Sequence, residues 1–481
     1  MKRIRLTLSL LLTALAGLLL LATFTPLAGG ASRLAATGKA VAQQAADTET
    51  AEAEDPDLPP GMAGSVDKAE YLRARADYID MLRGRPHNLP YEPREVALRE
   101  MDAQERKRDA AKPNGVLAPP PPTWMPLGPT PIPNGQTSDV SVPVSGRTIS
   151  LAVHPNDPDT VYAGGAQGGL HKSTDGGATW TRLFDFQLET LAIGSIKIDP
   201  TDSNIVYIGT GENGQCADCF QGRGLYIMRN ANSASPTLTG PFRQDAAMND
   251  VFSGRAIGNI AVSTLDNNII YVGTANGTGG NPNAGTAQIP PRGLYRCINA
   301  QSANPTFTQV PITGLGAQDR SVIDLVMDPG DPNLLIITVI GASGDGGIYT
   351  SANALANSPI FARTRVLPDG ATNGRGELAI NRNGSIVTVY AAVGDISTTA
   401  IGGPACTAAR AGYITRSTDG GFTWSAPLPG SAGFCGGQCF YDIGIGVTQD
   451  NQTIHLGGAA RGAASATCPG TEVMKRSTDG G

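Results

Sequence analysis

Four acidic residues stand on loops beside short apolar runs, where a carboxyl-driven reaction would want them: Glu212, Glu377, Asp395 and Asp442. Cleaving a glycosidic bond takes two carboxyl groups about 5–10 Å apart across a cleft, one giving a proton and the other attacking or activating water. Four arginines recur just ahead of comparable strands: Arg147, Arg255, Arg320 and Arg375. Gathered at one end of a channel, they could hold an anion through paired N–H donors. Repeated placement is also what a repeating scaffold produces, each arginine locking the loop ahead of its strand. His154, His171 and His455 fall inside strands, where packing is favoured over metal binding. No Ser-His-Asp or Gly-x-Ser-x-Gly arrangement supports a nucleophilic hydroxyl, and nothing in the sequence asks for a metal or a cofactor.

These residues are spaced by a repeat. One phrase occurs as Ser173-Thr-Asp175-Gly-Gly177-Ala-Thr179-Trp180 and as Ser417-Thr-Asp419-Gly-Gly421-Phe-Thr423-Trp424, and it begins again at Ser477-Thr-Asp479-Gly-Gly481. An Asp before two glycines suits a tight turn, because the carboxylate accepts backbone N–H bonds while glycine takes a positive φ. The following Thr-Trp is expected to start a return strand, with the ring wedged beneath the turn. Ahead of each turn run three apolar segments, the second spelled Val161-Tyr-Ala-Gly-Gly165, Val206-Tyr-Ile-Gly-Thr210, Ile270-Tyr-Val-Gly-Thr274 and, less fully, at 335–338, 389–393 and 454–458. Four antiparallel strands recurring about every 45 to 65 residues, with no helical period between them, predict a β-propeller with one blade per unit. Six blades are visible. The last lacks its fourth strand, so the chain reads as part of a parent with seven or more.

The phrase resembles the Asp-box, or BNR repeat. The order Trp124-Met-Pro-Leu-Gly-Pro129, Gly146-Arg147, Ala152-Val-His-Pro155 and Gly168-Gly-Leu-His-Lys-Ser-Thr-Asp-Gly-Gly-Ala-Thr-Trp180 is similar to exported bacterial propellers of the sialidase-like, sortilin-like superfamily, some labelled glycosyl hydrolases. The resemblance covers Trp124 to the end. It implies a fold, with the box as a structural device on the outer rim: Ser173, Asp175, Gly177, Thr179 and Trp180, Ser417, Asp419, Gly421, Thr423 and Trp424, and Ser477, Asp479 and Gly481. The Phe-Arg-Ile-Pro signature of true sialidases is missing, and the two acids of xyloglucan-cleaving propellers have no assignable counterpart.

Lys2, Arg3 and Arg5 precede an apolar run from Leu6 to Ala22 and small residues from Ala28 to Ala31, the pattern of a signal peptide over 1–31. An uncleaved anchor is the alternative, and the only membrane link expected. The mature chain is then secreted, periplasmic or on the cell surface. Residues 32–64 lack an apolar period and read as a disordered leader, 65–110 as a helical hairpin opened by an Asp67/Glu70 capping box, 111–123 as a proline-rich linker and 124–481 as the propeller. Seven cysteines, all beyond residue 215, fit disulfides in an oxidising compartment. A net charge of −6 with interspersed signs argues against nucleic acid as a partner. The expected partner is an extracellular protein or glycan; the enzymatic alternative is a glycoside hydrolase with two carboxyls in the central funnel. An aromatic content of 5% gives little surface for stacking sugars.

Overall fold

The computed structural model describes residues 93–110, 146–214, 219–277, 289–340, 344–367, 375–394, 412–431, 434–435, 441–458 and 474–481, with isolated positions between 67 and 78. The export segment, the leader, the 111–123 spacer and Asp395 lie outside the described residues. Two units are distinguished, 1–70 and 71–481. In the first, the Glu70 amide donates to Asp67 Oδ1 at 3.0 Å, the N-cap bond of the expected capping box. The second holds helix α1 (Pro93–Ala110) and all the strands.

Six antiparallel sheets follow one another along the chain, each ordered as its strands occur in sequence. Blade one is β1 (Thr148–His154), β2 (Asp157–Gly165), β3 (Leu170–Ser173) and β4 (Thr181–Leu183). Blade two is β5 (Ile193–Ile198), β6 (Val206–Thr210), β7 (Leu225–Arg229) and β8 (Thr237–Phe242). Blade three is β9 (Ala256–Val262), β10 (Ile270–Ala275), β11 (Gly293–Cys297) and β12 (Thr308–Val310). Blade four is β13 (Ser321–Met327), β14 (Leu335–Ile340), β15 (Gly347–Ser351) and β16 (Ala362–Val366). Blade five is β17 (Gly376–Asn383), β18 (Ile386–Val393) and β19 (Tyr413–Ser417), and blade six is β20 (Gly444–Val447), β21 (Ile454–Gly457) and β22 (Met474–Ser477). In blade five the fourth position is filled by 425–428, where Ser425 N donates to Arg416 O and Leu428 N to Ile414 O, both at 2.8 Å. The architecture is the predicted β-propeller.

Each interface between blades buries its own apolar cluster. One face of a blade, here the leading face, packs on the blade before it; the other, the trailing face, packs on the blade after. Tyr162 and Leu170 of blade one meet Ile196, Ile198, Val206 and Ile208 of blade two, and Tyr207, Leu225 and Ile227 of blade two meet Ile260, Val262 and Val272 of blade three. The repeat tyrosine explains its own recurrence, because its hydroxyl crosses to a backbone carbonyl of the following blade. Tyr162 donates to Ala231 O at 3.2 Å, Tyr207 to Asn267 O at 3.4 Å and Tyr390 to Gly480 O at 3.2 Å. The residue paired with it on the third strand often does the same: Lys172 Nζ reaches Ala231 O at 2.7 Å, and Arg416 reaches Gly480 O at 2.8 Å. The repeat glycine leaves room for the next blade, since a Cβ on Gly209 would lie 2.4 Å from Ile257 Cγ2 and one on Gly164 2.7 Å from Ile193 Cγ2.

The Asp-containing turns are braced as expected. Ser173 Oγ donates to Asp175 Oδ1 at 2.7 Å and accepts Gly177 N at 2.9 Å, while Asp175 accepts Thr179 N at 2.8 Å and Thr179 Oγ1 at 2.6 Å. Ser417, Asp419, Gly421 and Thr423 repeat the set, and Ser477, Asp479 and Gly481 make its first half. The two glycines of each turn have positive φ, for instance 68° and 92° at Gly176 and Gly177. The tryptophans depart from expectation. Trp424 packs in the cluster between blades four and five and donates to Thr364 Oγ1 at 3.2 Å, whereas Trp180 is 42% exposed. Neither ring starts the return strand: β4 opens at Thr181, one residue later. What buries the ring is the preceding blade, and nothing among the described residues covers that side of blade one.

Candidate functional site

The site is set by a register detail of the innermost strands. In blades one to four that strand carries one extra residue, at Ile149, Gly194, Gly258 and Ile323, and the following residue faces the repeat glycine position of its partner: Ser150 opposite Gly164, Ser195 opposite Gly209, Asn259 opposite Gly273, Asp324 opposite Thr338. A bulge re-aims the side chain beside it. Blades five and six reach the same position without a bulge, with Glu377 opposite Ala392 and Gly444 opposite Gly457. These six equivalent positions all line one central cavity of about 480 Å³.

Hydrogen bonds run round this ring from blade to blade. Ser150 Oγ donates to Ile193 O at 3.0 Å, Asn259 Nδ2 donates to Asp324 Oδ1, and Asp324 Oδ2 accepts Leu378 N at 2.6 Å. Two polar atoms on residues of the lining have no hydrogen-bond partner: Ser195 Oγ, on a residue 4% exposed, and Asn213 Oδ1.

Of the acids singled out in the sequence, Glu212, Glu377 and Asp442 come together in this cavity, joined by Asp324. Glu212 is fully buried; its Oε1 takes bonds from both Arg147 and the Tyr441 hydroxyl, and its Oε2 accepts Phe220 N at 3.3 Å. Arg147 also lies over the Tyr441 ring, 5.2 Å from its centroid. Glu377 Oε1 is held by Arg375 Nε at 2.7 Å. Burial nonetheless pushes the Glu377 carboxyl up to about 8, Arg375 opposing and the neighbouring Asp324 adding to the rise. At neutral pH it is mostly protonated. Burial pushes the Lys197 ammonium down, and Asp324 resists that shift.

The arginines divide. Arg147 and Arg375 line the cavity, whereas Arg255 and Arg320 do not. All four are engaged within the protein: Arg147 with Glu212, Arg375 with Glu377 and Asn213 O, Arg255 with Pro290 O at 2.5 Å, and Arg320 with Asp345 at 2.8 Å. Arginine carbonyls also accept loop amides, Ala166 N to Arg147 O and Gly394 N to Arg375 O. Asp324, Asn213, Asn259 and Tyr441 were missed by sequence reasoning. In blades four and five the second-strand glycine position holds Thr338 and Ala392, so no repeated residue marks Asp324 as the counterpart of Glu377, and Asn213 and Tyr441 sit on loops that carry no such signal either. Cys219 and Cys435 are disulfide-bonded, and Cys297 is a buried free thiol.

The braced turns lie at the other end of the blades. First and third strands run in the same direction, so a turn that closes the third strand is remote from the strand starts that carry Arg147 and Glu377.

No protein-family profile matches the sequence, and no curated protein matches it. Among solved structures, an ancestral GH74 enzyme is 18% identical with a TM-score of 0.43, covering 69% of this chain and 38% of its own. The GH74 xyloglucanase from Xanthomonas campestris is 14% identical with a TM-score of 0.26, over 69% of this chain and 62% of its own. YCF48 bound to D1 peptide is 12% identical with a TM-score of 0.37, over 73% and 84%. This chain thus spans less than two thirds of either GH74 enzyme. Its own sheets and register carry the fold assignment.

Proposed function

We propose that the chain is an exported propeller of the Asp-box, sialidase-like and sortilin-like type that recognises an extracellular glycan, holding a neutral, hydroxyl-rich segment in the central cavity. The observation that carries this reading is the pair of buried, unpartnered atoms, Ser195 Oγ and Asn213 Oδ1, on residues of a cavity that also carries four carboxyls, the Asn259 amide, the Tyr441 hydroxyl, two paired arginines and aliphatic side chains. A sugar hydroxyl both donates and accepts, and would satisfy these groups, whose burial is costly while they stay unpaired, once a side-chain rotation turns them from their buried positions toward the cavity. An anionic ligand fits less well: four acids face two arginines in the lining, and both arginines are already paired.

A glycan screen tests this. Neutral oligosaccharides are expected to bind, and Ser195→Ala to weaken them about fivefold, the worth of one hydrogen bond. If only acidic glycans bind, and Arg147→Ala with Arg375→Ala abolishes them, the arginine reading replaces this one. Retention of a protein and no glycan would move recognition to the loops.

One observation favours hydrolysis as a second reading. The raised Glu377 carboxyl is suited to protonating a leaving oxygen, and Asp442, in the same cavity, is the candidate base or nucleophile. Glu212 has both oxygens engaged and is the poorer choice. Release of reducing ends that declines above pH about 8 and vanishes in Glu377→Gln would support it. Binding without cleavage would leave recognition alone.

A further inference from the structure

The burial pattern of the repeat breaks at two places, and both face the same gap. On the innermost strands, the residue after the cavity position packs on the preceding blade: Ile196 is 7% exposed, Ile260 1%, Leu325 2% and Leu378 6%. Its equivalent in blade one, Leu151, which pairs with Ala163 as Ile196 pairs with Ile208, is 64% exposed. Two residues on, Ile198 is 7% and Val262 4% exposed, yet Val153 is 57%. The ring beneath the return turn follows suit. Phe307, Phe361 and Trp424 pack in the clusters between successive blades, while Trp180 is exposed. The leading face of blade one is thus exposed at Leu151, Val153 and Trp180, three positions whose counterparts above are covered.

Blade six shows the complementary fault. The third-strand residue opposite the repeat glycine position is fully buried at Leu170, Leu225, Leu294 and Ile348, and 5% exposed at Ile414, all under the next blade. Its equivalent Met474, opposite Gly457, is 72% exposed. His455 and Arg476 pair at the register of Tyr390 and Arg416, which donate to the next blade's turn carbonyl. In blade six both are exposed.

We propose that the wedge between blades six and one is the docking site of one further blade of this same repeat. Its leading face would cover Met474 and offer a turn carbonyl to Arg476, and its trailing face would bring the repeat aromatic and apolar residues onto Leu151, Val153 and Trp180. The five existing interfaces are the argument for that occupant: each joins these same two kinds of surface, and no element among the described residues covers either one. The cavity runs to this wedge, through Leu151 on one wall and Gly444 on the other, so the added blade would also complete its side.

The test uses the 481-residue chain and a version with a second copy of blade two, residues 192–254, fused after Gly481. Alkylation of Leu151→Cys is read by peptide mass, with Ile196→Cys as the buried reference. In the chain alone Leu151→Cys should react at least about tenfold faster than the reference, and the fused blade should slow it by about that factor. Met474→Cys gives an independent reading of the other wall. Unchanged reactivity at both positions in a fused protein that retains its β-sheet spectrum would overturn the proposal. So would concentration-dependent protection of both in the unfused chain, which would make a second copy the occupant.

Discussion

Single side chains decide how tightly each turn is held and where protons sit. Ser417 is 1% exposed, and its hydroxyl both accepts Gly421 N and donates to Asp419. Ser417→Ala should therefore cost about 1–2 kcal/mol in urea unfolding, because a buried amide loses its acceptor. Asp175, by contrast, is exposed, and bonds from the Thr179 hydroxyl and amide and from Ser173 hold its carboxyl down at about 2. A carboxyl depressed in the folded chain stabilises it above the unfolded value of 3.8, and that contribution is lost as pH falls through about 2. Acid unfolding monitored by circular dichroism should lose this component in Asp175→Asn. Glu377 has the opposite sign. Its raised carboxyl makes the folded chain bind the proton more tightly, so its contribution is full below 4.5 and declines as pH climbs through about 8. Stability measured between those limits should fall less with pH in Glu377→Gln than in the parent; an identical slope would contradict the assigned shift. The turn bonds were legible in the sequence because each phrase contains both partners. Trp180 was misjudged because its burial depends on a neighbour that lies far from the phrase.

Strands and their interfaces were legible where one repeated residue does one repeated job. The Val-Tyr-x-Gly spelling located the second strands, and the structure supplies the reason: tyrosine ties a blade to the next, and glycine admits the next blade's first strand. Gly209→Ala should be destabilising by about 1–3 kcal/mol, as overpacking usually is, since its new Cβ meets Ser195 Oγ and Ile257 Cγ2 at 2.4 Å. Gly446→Ala has nothing within 4 Å and should leave the melting temperature nearly unchanged. Equal effects of the two substitutions would remove close approach as the cause. The bulges at Ile149, Gly194, Gly258 and Ile323 were not legible, because an extra residue in one strand is defined only by its pairing partner. That is why Asp324 went unnoticed while Glu377, on an unbulged strand, was picked out. The arginines were legible as a series and misleading as a cluster: a repeat places them alike, but only Arg147 and Arg375 reach the cavity.

At the scale of the molecule, a propeller gathers six equivalent positions around one axis, and here they differ in chemistry. Ser150, Ser195 and Gly444 are small and neutral, whereas Asp324 and Glu377 are acidic. At these strand positions the acids stand on blades four and five and the small residues on blades six, one and two, while Glu212 and Asp442 reach the lining from the loops of blades two and six, an asymmetry that would orient a ligand rather than merely enclose it. The most direct measurement is a crystal structure of the protein with a neutral oligosaccharide that it retains in the glycan screen. The account predicts sugar density in the central cavity, with hydroxyls within hydrogen-bond reach of Ser195 Oγ and Asn213 Oδ1. Sugar bound on the outer rim beside the Asp-containing turns, with the cavity holding only solvent, would contradict it.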